Sequence, residues 1–389
     1  MHHLKTIAAI AAAALALTAV STEPASAGKV KPAPVVPTYS TTLVAVSPGA
    51  SRQATAWGQR IKDLGVYNGK IYPAYGNYDD NTGPIDIEAL DPATGTFGPK
   101  ALTVPTEELN VFRTINGKMY APMIDPQLPW TANVGYATNA SGTWTNEFKA
   151  PAQHIFDVAT MTGTDLWMLG SASNPDGSEM GAAAYRSTDG GATWKLVAND
   201  ASPGGSNGYE RYYWAKAING KMYMQAQAVN PGPAPLRIFD GNTWTSTTAF
   251  NSLCGGANAN LVETFNNKII CAGYGIKTFD GRTATQYSAS SFLQDLFVAG
   301  DGYIYALTYD HIVRSSDGTN WTPIANAPAD ALSIAVVGGT VYLGMTNARI
   351  VKLNGLNLAG TTTKVKAGNG KQANRTTLLG TGQGAAKSR

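Results

Sequence analysis

Cysteine, histidine and charge are all scarce in this chain. Its 389 residues include two Cys, Cys254 and Cys271, and four His, of which His2 and His3 sit at the extreme N-terminus. No Cys-x-x-Cys pair occurs, which argues against zinc and dithiol chemistry, and His154 and His311 alone are too few for a histidine metal centre. Neither a Walker loop nor a Rossmann glycine fingerprint is present, so no cofactor is expected. After the N-terminus no stretch keeps a helical period, and none is apolar for long enough to cross a membrane. Charged residues make up only 14% of the chain and hydrophobic ones 43%, a balance that argues for a packed core and against disorder.

What is abundant is glycine (42), proline (21) and tyrosine (18). Glycine with aromatics in short bursts is the composition of many short strands joined by tight turns, and the chain reads as all-β. Residues 1–27 read as a secretory signal peptide: Lys5, an apolar run from Ile7 to Val20, then Ala25-Ser26-Ala27 as a small-x-small cleavage site. That run falls short of the roughly 20 residues a spanning helix needs, so cleavage is expected rather than anchoring. A proline-rich linker, 28–40, follows. After Gly360 the tail 361–389 carries Lys364, Lys366, Lys371, Arg375, Lys387 and Arg389 with no acidic residue. The tail reads as disordered and as a weak electrostatic tether at most; the rest is mildly acidic and lacks the basic face that nucleic acid requires. The expected location is secreted, extracellular or at the cell surface. There Cys254 and Cys271 either pair across a short loop or stay as two thiols, and spacing alone leaves both open.

The organising feature is a phrase that returns. Asn68-Gly69-Lys70-Ile71-Tyr72 recurs as Asn116-Gly117-Lys118-Met119-Tyr120 and Asn219-Gly220-Lys221-Met222-Tyr223, with weaker copies beginning at 163, 266, 301 and 338. Asn-Gly favours the positive φ angles of a type I′ turn, so each phrase is a β-hairpin between apolar strands. A period of about four dozen residues fits a four-stranded antiparallel unit that cannot bury both faces alone. The body, 41–360, is therefore read as a β-propeller of seven blades, or six if the short units near 266 and 301 are incomplete. The last copy leaves too little chain for four strands. Closure requires an N-terminal strand at or near Thr41 to Val46 to join the final sheet.

A second turn, rich in Gly and Trp, ends most units. Ser187-Thr188-Asp189-Gly190-Gly191-Ala192-Thr193-Trp194 is the sharpest, and 315–321 repeats it with one residue missing. These turns resemble the Asp-box (BNR, sialidase-type) propeller repeat, Ser/Thr-x-Asp-x-Gly-x-Thr-Trp. The resemblance is limited to the repeat motifs, and it implies a structural role for Asp189, Trp194, Asp317 and Trp321. The Phe-Arg-Ile-Pro opening of sialidases is not present. Its nearest string contains Arg113, which is expected to face solvent inside a blade phrase.

No catalytic constellation emerges. Asp79, Asp80, Asp86, Asp125, Glu179, Glu210 and Asp295 are loop carboxylates from which a glycosidase pair would have to come. Two oxygen-rich loops, Tyr78 to Gly83 and Asn174 to Glu179, lack EF-hand spacing, and no metal site is assigned. The cluster Tyr209-Glu210-Arg211-Tyr212-Tyr213-Trp214 ends the longest unit and packs four aromatics beside an ion pair. Tyr209, Glu210, Arg211 and Tyr213, with Trp130 from a neighbouring aromatic loop, are the candidate ligand contacts. The expected function is a secreted, non-catalytic propeller that binds an extracellular glycan or protein through loops on one face. The alternatives are a secreted glycoside hydrolase and a structural envelope or surface protein.

Overall fold

In the computed structural model, residues 35–358 are described, apart from 201–208, 229–233, 251–252, 255–256, 274 and 288–290. The proposed signal peptide and the basic tail lie outside them. Each Asn-Gly phrase forms the hairpin its chemistry demands. Asn68 and Gly69 take φ of 50° and 73°, Asn116 and Gly117 50° and 71°, Asn219 and Gly220 52° and 70°.

Among the described residues, seven four-stranded antiparallel blades result. Blade 1 comprises Asp63–Tyr67, Lys70–Ala74, Leu90–Asp91 and Thr96–Phe97. Blade 2 comprises Arg113–Ile115, Lys118–Pro122, Asn133–Ala140 and the first half of Thr143–Ala159. The second half of that 17-residue strand is the inner strand of blade 3, so one unbroken strand is shared and the two blades form a continuous sheet. Leu166–Ser173, Glu179–Ser187 and Lys195–Asn199 complete blade 3. Blades 4, 5 and 6 begin at Tyr209–Ile218, Val262–Phe265 and Leu293–Val298. The short units near 266 and 301 are complete, which leaves seven blades and not six.

Blade 7 is built from both ends of the described chain. Ala331–Val337, Thr340–Met345 and Arg349–Leu353 are joined by Thr41–Val46, with Thr41 opposite Leu353 and Val46 opposite Arg349. The residues just before this strand continue the clasp, since Pro37 O accepts Asn326 N at 2.8 Å on Thr322–Asn326, the outer strand of blade 6. Closing the ring this way gives blade 7 its fourth strand and covers the outer edge of Arg349–Leu353.

The blades are tied at the centre by polar side chains of the inner strands. Asp63 accepts from Phe112 N at 2.8 Å, linking blades 1 and 2. Asp157 accepts from Ala215 N at 3.2 Å, linking blades 3 and 4, and Asp295 accepts from Ile334 N at 2.8 Å, linking blades 6 and 7. Ser333 Oγ donates to Ile61 O at 2.9 Å and returns the ring to blade 1. Arg113 does not face solvent as expected. It is buried at the axis, donating to Asp157 at 2.8 Å and to Glu263, because the inner strand turns its polar side chains toward the channel.

The Gly-Trp turns are internally satisfied. Asp189 accepts from Thr193 N and Thr193 Oγ1, Ser187 Oγ accepts from Gly191 N, and Trp194 donates to Gly191 O and packs on Tyr136. Asp317 likewise accepts from Thr319 N and Asn320 N, both at 2.8 Å. These carboxylates sit well below their ordinary range because those hydrogen bonds favour the charged form.

Candidate functional site at the mouth of the ring

The segments leading into the inner strands converge on one face of the ring and leave a cavity of about 290 Å³ at the channel mouth. Trp57, Arg60 and Lys62 come from the approach to blade 1, and Glu108 and Asn110 from the approach to blade 2. Asn258 and Asn260 precede blade 5, while Leu293, Gln294 and Leu332 come from blades 6 and 7. Tyr78 and Asp79 close the side from the connection between the second and third strands of blade 1.

The floor is the short 3-10 turn Ala259–Leu261. Arg113 donates to Ala259 O at 2.6 Å from below, and Asn260 Nδ2 donates to Lys62 O at 3.1 Å across the ring. Asn260 is only 7% exposed, yet its Oδ1 has no hydrogen-bond partner. A buried acceptor left unpaired costs free energy unless a ligand or water supplies a donor. At the rim Trp57 is 56% exposed, with the Arg60 guanidinium 4.4 Å from the ring centroid. Glu108 pairs with Lys62 at 2.9 Å and accepts from Tyr78 N at 3.3 Å; burial raises its carboxyl despite the ammonium beside it.

A second group lies on the same face beside the cavity. Thr106–Glu108 and Ile124–Pro126 form a two-stranded ribbon whose register, Ile124 with Glu108 and Pro126 with Thr106, sets Asp125 opposite Glu107. Side chains opposite one another in an antiparallel pair share a face. Burial and the Asp125 charge push Glu107 up to about 7, and its buried Oε2 is unpartnered. Burial raises the Asp125 carboxyl, and the neighbouring Arg211 charge offsets part of that rise; after burial, the same charge helps press His154 down to about 3.

The expected contacts are distributed unevenly. Arg211 sits over Phe156 at 5.9 Å, and Tyr213, 5% exposed, packs on the same ring at 4.5 Å behind Tyr78. Tyr213 is thus in the core, together with Tyr212 and Trp214. Bulges between Tyr209 and Arg211 and between Tyr212 and Trp214 break the alternation that would have exposed every second ring. Tyr209 and Glu210 lie in the strand, but their side chains, like that of Glu179, fall outside the described residues. Trp130 is 59% exposed on the same face, against Gly177 of blade 3.

Of the carboxylates, Asp86 is tied up by Arg52 at 2.8 Å and Lys100 at 3.4 Å, and Asp295 is at the axis. Asp176 accepts from Ser178 N and Oγ within its own turn. Among the described residues no three His, Cys, Asp or Glu side chains cluster as a metal site. A disulfide joins Cys254 to Cys271 in the second strand of blade 5, Lys268–Gly273. Trp57, Arg60, Glu107, Glu108 and Asn260 went unmarked in the sequence. The signal that could have found them is position, since each but Glu107 stands within a few residues of an inner strand and lines the mouth.

No family model matches the chain, and no curated protein matches it. Solved structures do. Virginiamycin B lyase from Staphylococcus aureus is similar with a TM-score of 0.51 at 12% identity, over 77% of this chain and 96% of that one. The extracellular domains of two hybrid two-component systems of B. thetaiotaomicron align with TM-scores of 0.53 and 0.51 at 10% and 12% identity. They cover 81% and 76% of this chain and are matched over 42% and 40% of their own length. At such identities the likeness establishes the β-propeller fold and nothing finer.

Proposed function

We propose that this chain is exported and acts as a non-catalytic propeller that takes an extracellular glycan or protein partner on the face bearing the mouth cavity. The observation that carries this reading is the unpartnered Asn260 Oδ1 at the floor of a cavity whose rim presents an exposed Trp57. A buried acceptor under an aromatic platform is the arrangement of a site that waits for a donor-bearing ligand. We read the turns at 187–194 and 315–321 as Asp-box turns with a purely structural role, because their carboxylates are spent on their own backbones. Residues 1–27 serve as the cleaved leader and 361–389 as a weak tether to anionic polymer.

The test is a screen of the chain from Gly28 on immobilised glycans and peptides, beside Trp57→Ala. Binding lost in the variant supports the reading; binding unchanged by it places the partner elsewhere.

A hydrolytic reading is favoured by one observation, the Glu107–Asp125 pair with Glu107 held near neutrality, where a general acid works best. Turnover of any aryl glycoside that disappears in Glu107→Gln would replace the binding-only reading.

A further inference from the structure

We infer that the mouth cavity is selective for the end of a neutral saccharide. The inference rests on the proposal that this face binds a partner, and it names the class of that partner from the charges, orphaned groups and size of the cavity.

Charge comes first. The lining contains two cations and two anions: Lys62 is matched by Glu108 at 2.9 Å, and Arg60 and Asp79 are the remaining pair. A ligand with net charge would meet no excess of the opposite sign. A carboxylated sugar in particular would find a single guanidinium, Arg60, among the lining residues. Apart from Tyr78, the other polar liners are amides, Asn77, Asn110, Asn258, Asn260 and Gln294. Amides donate and accept at once, which suits hydroxyl groups that also do both.

The unpartnered atoms agree with this assignment. Asn260 Oδ1 is an acceptor lacking a donor, and Arg60 Nε is a buried donor lacking an acceptor. A polyhydroxylated ring supplies both a donor and an acceptor, and its apolar C–H face is the kind of surface that the exposed Trp57 indole can stack on. The volume, about 290 Å³, is at the small end of small-molecule sites (about 300–1,000 Å³), and Asn260 and Leu261 of the Ala259–Leu261 turn line it. It fits a compact terminal group better than a length of extended peptide.

The experiment is an array carrying neutral glycans, acidic glycans and a random peptide library, probed with the chain from Gly28, Trp57→Ala and Gln294→Ala. The expected result is saturable binding to neutral glycans with a common terminal residue, weakened about tenfold or more by Trp57→Ala and less by Gln294→Ala. Both variants alter partly exposed side chains, and their unfolding midpoints are measured alongside to show that they fold. Preference for acidic glycans overturns the neutral assignment. Peptide binding that depends on Trp57, with no glycan bound, overturns the saccharide assignment and leaves the face as the binding surface. Absence of any Trp57-dependent binding overturns both.

Discussion

Arg113 of blade 2 and Asp157 of blade 3 meet at 2.8 Å at the centre of the ring, both buried, with Glu263 of blade 5 on the far side of the same guanidinium. Lys216 of blade 4 reaches Glu263 at 3.4 Å and brings this quartet to charge balance. Removing the guanidinium would leave two carboxylates buried with one cation between them. Arg113→Met should therefore cost about 3–5 kcal/mol in a urea unfolding experiment. Arg113→Lys should recover only part of it, because an ammonium cannot span Asp157, Glu263 and Ala259 O together. A loss below about 1 kcal/mol for Arg113→Met would show that the axis is not held by this ion network.

Asp295 and Asp63 are the carboxylates outside that balance. Asp295 is fully buried; Oδ2 accepts from Ile334 N and Oδ1 has no partner, while Asp63 and Glu263 add negative potential. Burial raises both carboxyls, Asp63 to about 6 against an ordinary 3.8. A group whose pKa rises on folding contributes stability that is fully present below its unfolded value and lost as pH climbs through its folded value. The pair thus weakens the fold as pH rises from about 4 past 6. Asp295→Asn should raise the unfolding midpoint at pH 8 and change it little at pH 4. Equal shifts at both would contradict the assignment.

The outer strand of blade 7 is the Thr41–Val46 segment, which pairs with Arg349–Leu353. A chain beginning at residue 48 keeps every inner strand but bares that outer edge. It should unfold at lower temperature and self-associate, read by light scattering. A monomer with the parent midpoint would show that the clasp contributes nothing.

The Cys254–Cys271 bridge closes a loop with a sequence separation of 17. Chain-entropy reasoning assigns such a loop ~3 kcal/mol. Cys254→Ser with Cys271→Ser should lower stability by about 2–4 kcal/mol, and thiol titration of the denatured parent without reductant should find no free thiol. Two free thiols would contradict the pairing.

The fold was largely legible because its signals are local. Asn-Gly turns fix hairpins within five residues, and the shortage of chain after Tyr342 demanded a strand near Thr41–Val46. The centre was not legible. Inner strands are covered by neighbouring blades, so no polar alternation marks which side chain enters the channel, and Arg113 reads like a surface residue. Tyr212 and Tyr213 are adjacent yet both buried, because the bulge between Tyr212 and Trp214 falls at Tyr213. The mouth cavity draws Lys62 and Asn260 together from opposite parts of the chain, with no spacing to announce it.

The most direct measurement compares the affinity of one bound glycan for the parent, for Trp57→Ala on the ring face and for Asp317→Asn in a peripheral turn. The face variant should lose about tenfold or more while keeping its unfolding midpoint. The turn variant should bind as the parent does and unfold at lower temperature. Loss of binding in Asp317→Asn with Trp57→Ala unaffected would contradict the assignment of binding to the mouth of the ring.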